Sequence, residues 1–150
     1  PIGAMVTRKE IANKAAPKAN LQSTFGWLPL ACAAALKTLQ IHIRDKIWKK
    51  AEKDGKYTIN VLKKELKDNS LVGDIRGKGM IFGIDLVKNK KTKEKNTKSV
   101  EKAVKLAFEK GLHIVCDHES NIQLMPPLTI KRKDLNKGIE ILVDVVKSLS

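Results

Sequence analysis

Val72-Gly73-Asp74-Ile75-Arg76-Gly77-Lys78-Gly79-Met80-Ile81-Phe82-Gly83-Ile84-Asp85-Leu86-Val87 is the stretch whose reading decides the fold. Large apolar and β-branched residues predict strands over Val72 to Arg76 and Met80 to Val87, joined through Gly77-Lys78-Gly79. Glycines recur at 73, 77, 79 and 83, but neither G-x-G-x-x-G nor G-x-x-x-x-G-K-[ST] is present and the segment leads into a strand, which excludes a phosphate loop. At a hairpin turn glycine need only supply positive backbone angles.

Both flanks of the hairpin carry helical periodicity. Upstream, Lys46 to Lys67 places Ile47, Ala51, Ile59, Leu62 and Leu66 on one stripe, with Gly55 marking a weak point where a bend is expected. Downstream, Val100, Ala103, Val104, Ala107 and Phe108 form the inner stripe of a helix that Gly111 ends. Leu112 to Cys116 and Asn121 to Met125 read as strands around a polar turn, the second stopped by Pro126-Pro127. A last helix, from about Arg132 to Leu149, buries Leu135, Ile139, Leu142, Val143 and Val146. Helix, hairpin, helix, two strands and helix predict an α+β unit, a small and largely antiparallel sheet covered by helices on one face.

The first 45 residues cannot build a core of their own. Pro1 to Val6 reads as the second half of a buried strand, so the start looks cut from something larger. Arg8 to Asn13 suits one helical turn and Lys14 to Gln22 a polar loop. Pro29 then opens a helix to about Ile43, with Cys32, Leu36, Leu39 and Ile43 on one face and alanines that allow close approach. Trp27 is expected to be a core anchor and His42 to face solvent.

Composition narrows the function classes. The 150 residues carry a formal charge of +14, yet only 4% are aromatic and lysine far outnumbers arginine. Base stacking and bidentate base readout therefore lack material, and a lysine-coated surface is the better account of the charge. The run Lys88 to Asn96 reads as a solvated, mobile loop. Cys32 and Cys116 form no C-x-x-C pair and read as small buried hydrophobes in a reducing compartment. Cys116, Asp117, His118 and Glu119, with His113 nearby, lack the usual ligand spacing, so no metal site is predicted. No G-x-S-x-G elbow is present. No apolar run approaches the roughly 18 residues of a membrane span, and a cytoplasmic location is expected.

The polar turn Ser23-Thr24-Phe25-Gly26 stands just before Pro29, at a helix N-terminus where anions bind. Four blocks around and beyond it resemble class III pyridoxal-phosphate aminotransferases, the group of ornithine, acetylornithine, 4-aminobutyrate and diamine transaminases. They are Pro1 to Val6, Ser23 to Leu36, Val72 to Met80, and Leu124-Met125-Pro126-Pro127-Leu128-Thr129-Ile130, in the family's order and with similar gaps.

The resemblance implies the C-terminal portion of a fold-type-I transferase. Residues 1–27 would close the large cofactor-binding domain, 28–45 would form a linking helix, and 46–150 the small domain. It implies pyridoxal 5'-phosphate as cofactor, its phosphate hydrogen-bonded chiefly by Thr24 and secondly by Ser23 across a homodimer interface. The family position that clamps the substrate α-carboxylate is commonly arginine; here it is Gln123, with Arg76 a possible substitute, though an ion pair anchoring a strand end is the plainer role for it. A neutral amide grips a carboxylate more weakly than a guanidinium, which favours an ω-amine or diamine over a simple α-amino acid as donor. The Schiff-base lysine of the family precedes the Pro-Ile-Gly-Ala strand, and no lysine of this chain occupies that place. The chain alone is thus expected to be catalytically silent, and the intact enzyme to move an amino group to a 2-oxo acid. Two other readings stay open: a basic α+β nucleic-acid-binding module, and a non-catalytic interaction domain.

Overall fold

The computed structural model describes residues 2–19 and 23–149. It comprises two compact units, Pro1–Lys46 and Ile47–Ser150.

The second unit holds the core. β1 (Val72–Lys78) and β2 (Ile81–Asn89) form the expected antiparallel hairpin, with Lys78 opposite Ile81. The loop is therefore two residues, and Gly79 opens it at a φ of 58°, the left-handed conformation that such tight hairpins require. β5 (Asn121–Leu124) pairs with the other edge of β2, and β4 (Val115–Cys116) with β5, so the order is β1-β2-β5-β4 with every neighbour antiparallel.

Alternation along these strands settles which face is inside. Ile75, Phe82, Ile84, Leu86, Ile122 and Leu124 are buried, while Asp74, Arg76, Lys78 and Ile81 are exposed. A slip of one residue would turn every one of these side chains over, so the buried face fixes the register. Three helices cover that face: α3 (Ile47–Glu65), α4 (Thr97–Glu109) and α5 (Arg132–Lys147). Leu62 and Leu66, Val100, Ala103 and Ala107, and Leu135, Ile139, Leu142, Val143, Val145 and Val146 complete one cluster with the strands.

Several expectations change in detail. Gly55 does not interrupt α3; a Cβ there would lie 2.0 Å from the carbonyl oxygen of Gly79, so the glycine lets the helix approach the hairpin turn. Phe108 is exposed, because it sits about 80° around the helix from Val100, at the rim of the stripe. The Lys88 to Asn96 run is exposed but ordered by pairing. β3 (Glu94–Lys95) adds to β2, and Asn89 Oδ1 accepts from the amides of Lys91 and Thr92 at 2.8 and 3.2 Å. Asn96 caps α4 by accepting from the Ser99 amide, and Gly111, at a φ of 81°, ends it as expected. Cys32 and Cys116 are half-buried.

The first unit contains α1 (Lys9–Ala15), a 3-10 turn over Ala16–Lys18, and α2 (Pro29–Asp45). Residues 1 and 20–22, within the expected first strand and polar loop, lie outside the described residues. Ile2 to Val6 form no strand and are exposed, which corrects the buried-strand expectation: a strand needs a neighbour to satisfy its backbone, and none is present among the described residues. Neither α1 nor α2 buries a residue; Leu36, Leu39 and Ile43 are exposed and Cys32 and His42 half-buried. Trp27 is 90% exposed and so anchors no core.

Candidate functional site

In the first unit the Ser23 to Gly26 turn is closed by one backbone bond, the Gly26 amide donating to the Ser23 carbonyl at 2.9 Å. Trp27 follows at a φ of 62°, a left-handed conformation uncommon for a bulky residue. α2 then begins with Pro29 in its first turn and Leu28 at its N-cap, and no side chain caps it. The hydroxyls of Ser23 and Thr24 are exposed and have no hydrogen-bond partner among the described residues. Both hydroxyls belong to a turn that precedes that helix start by five and six residues in sequence.

In the second unit the face of the sheet away from the helices brings Arg76 and Gln123 into one cross-strand row. Arg76 faces Gly83, Gly83 faces Gln123, and Gln123 faces Val115, across β1, β2, β5 and β4. Gly83 adds no side chain to this row, and the Asn121 amide lies over it. Gln123 is half-buried, and its amide has no hydrogen-bond partner among the described residues. The Arg76 guanidinium is engaged: Nη1 meets Asp74 at 3.1 Å and also Asp85, and Nη2 reaches Asp85 at 3.1 Å.

Asn121 and Asp85 complete this row's neighbourhood, and the sequence reading did not single them out. Asn121 Nδ2 donates to Asp85 Oδ1 at 2.7 Å. A Cβ on Gly83 would lie 2.9 Å from that same nitrogen, so the network needs the glycine at 83. Burial pushes the Asp85 carboxyl up, but the Arg76 and Asn121 hydrogen bonds outweigh it and hold the group below its ordinary 3.8. The Arg76 guanidinium is raised by the hydrogen bonds of Asp85 and then Asp74. The only sequence signal for this pair was alternation, since residues 83 and 85 of β2 share a face.

Two of the residues weighed as metal ligands have other work. Asp117 Oδ1 accepts the amides of Glu119, Ser120 and Asn121 at 2.9 to 3.0 Å, forming the turn between β4 and β5, and Glu119 pairs with Lys95. Among the described residues no three His, Cys, Asp or Glu side chains gather as ligands, and no helix is long and apolar enough to cross a membrane.

The helix-covered antiparallel sheet and the long helix that precedes it in sequence match the C-terminal portion of fold-type-I pyridoxal-phosphate transferases of known structure. The crystal structure of a Bacillus anthracis aminotransferase superposes with a TM-score of 0.82 at 31% identity, over 94% of this chain and 34% of that one. The family model described as aminotransferase class-III matches residues 1–146, and the chain belongs to that family, whose members are pyridoxal-phosphate-dependent. A leucine/methionine racemase of Thermococcus litoralis is 36% identical over 93% of this chain and 31% of its own length. An acetylornithine aminotransferase of Methanothermobacter thermautotrophicus is 31% identical over 99% of this chain and 35% of its own length. The chain thus spans about a third of the length of the curated relatives it matches.

Proposed function

We propose that this chain is the C-terminal portion of an aminotransferase that moves an amino group from an amino acid, ω-amine or diamine to a 2-oxo acid. Residues 1–27 end the cofactor-binding domain, 28–45 link, and 46–150 form the small domain. The observation that carries the reading is the open Ser23-Thr24 turn within a family match running from residue 1 to residue 146. Two exposed, unpaired hydroxyl donors in one turn suit phosphate oxygens, so the residues present fit the phosphate end of pyridoxal 5'-phosphate.

Thr24 chiefly, and Ser23 beside it, would hold that phosphate from one subunit of a homodimer. Bound there, the cofactor supplies the electron sink for chemistry at the amine-bearing carbon. In the second unit Gln123 and Arg76 are the substrate-side candidates. Gln123 presents a neutral amide where family members commonly carry arginine, and Arg76 is held by two carboxylates. Neither offers a free cation to a substrate carboxylate, which favours a donor whose far end is uncharged or itself an amine. No lysine here takes the family's cofactor-bearing place, so the chain alone does not turn over.

A second reading, racemisation of an amino acid, is favoured by the likeness to the leucine/methionine racemase. Chiral analysis of one amino acid with and without added 2-oxo acid separates the two: transamination requires the acceptor, racemisation does not. For the site, Thr24→Ala in the intact enzyme is expected to weaken cofactor affinity about tenfold with the fold preserved, read as loss of the cofactor absorbance band on dilution. Unchanged affinity removes Thr24 from the site.

A further inference from the structure

A concavity of about 490 Å³ opens between the first turns of α3 and the start of α5. Its lining holds five cations, Lys49, Lys50, Lys53, Lys131 and Arg132, against one carboxylate, Asp54. We infer that this concavity binds a small polyphosphate or phosphate ester.

The cations divide into a fixed floor and a free rim. Asp54 is 4% exposed and takes both Lys50 and Arg132 as ion-pair partners; Lys50 also donates to the Ile130 carbonyl at 2.7 Å. Arg132 lies over the Tyr57 ring, 4.0 Å from its centroid. Its Nη1 is buried and has no acceptor among the described residues, a donor left without an oxygen. Lys49, Lys53 and Lys131 have no carboxylate partner among the described residues, and Thr129 adds a hydroxyl.

Three unpaired ammonium groups around one hollow add their fields, so the surplus charge is concentrated where a compact anion can meet all of them. Ammonium groups act as adaptable point charges and suit phosphoryl oxygens. The volume lies in the range of small-molecule sites. A nucleic-acid strand is a poorer occupant, because the ring at hand, Tyr57, is already covered by Arg132. Lys63, Lys67 and Lys90 line another hollow, of about 270 Å³. It contains no buried unpaired donor and serves as the internal control.

The test is calorimetric titration of the 150-residue chain with tripolyphosphate and with inorganic phosphate, at about 50 and 150 mM salt. It needs neither pyridoxal phosphate nor turnover, so it stands or falls apart from the aminotransferase reading. Tripolyphosphate is expected to bind at least about tenfold tighter than inorganic phosphate. K53Q/K131Q is expected to weaken it about tenfold or more, and K63Q/K67Q by less than about twofold. These lysines are on the surface, and circular dichroism confirms that each variant is folded. No binding of tripolyphosphate, equal weakening by the two double variants, or equally tight binding of hexaglutamate would each overturn the proposal.

Discussion

α2 and α3 are both long helices with an apolar stripe, yet α2 buries none of its residues and α3 buries Ile47, Ala51, Leu62 and others. The stripe can be read in both sequences, more sharply in α3, and the two helices differ further in what lies against them. For α3 the partners are the hairpin and α5, encoded within the next hundred residues. Within its own unit α2 has no such partner among the described residues. Amphipathic spacing records a capacity for burial, and burial follows only where a matching surface is supplied.

Substitutions in the two units should separate this contrast by size of effect. The largest belongs to Phe82, which is 1% exposed near the start of β2. Phe82→Ala is expected to cost about 4 kcal/mol in urea denaturation of the chain; a loss below about 1 kcal/mol would break the claim that residues 47–150 share one packed core.

A smaller effect comes from Asp85, on the open face of the same sheet. Its carboxyl is held below 3.8 in the folded state, so the folded protein binds fewer protons there than the unfolded chain. The stabilisation is present above the ordinary carboxylate range and is lost as pH falls through 3.8 and below. The urea midpoint should decline over that window, and Asp85→Asn should flatten part of the decline. An identical pH profile for the variant would mean that the Arg76–Asp85–Asn121 network adds nothing to stability.

The smallest is Leu39→Ala on α2. An exposed leucine on a helix without a partner should change stability by no more than about 0.5 kcal/mol. A cost comparable to that of Phe82→Ala would show that α2 is packed in solution and would erase the contrast.

Legibility in the sequence followed the same division. The α3, α4 and α5 stripes, the hairpin and the Pro126-Pro127 stop could be read because each is a local pattern repeated over several turns or residues. Phe108 failed because one position at the rim of a stripe depends on the width of the surface opposite. Gly55 failed because its role lies in Gly79, more than twenty residues away, and an isolated glycine looks the same whether it bends a helix or admits a backbone. In the candidate site Ser23, Thr24, Gln123 and Arg76 were named from family-like blocks and single positions. Gly83, Asp85 and Asn121 were missed because a hydrogen-bond network across three strands has no linear signature.

By itself the sequence determined the order of elements, the antiparallel pairing of the central hairpin and membership in a family of pyridoxal-phosphate enzymes, since periodicity, turn residues and ordered motifs are properties of the chain. Only the tertiary structure decided that Arg76 is held by carboxylates while the Gln123 amide stays unpaired. It also gathered the lysines of α3 with Lys131 and Arg132, at the start of α5, around one hollow. Both depend on residues distant in sequence meeting in space, through strand register in the first case and helix packing in the second.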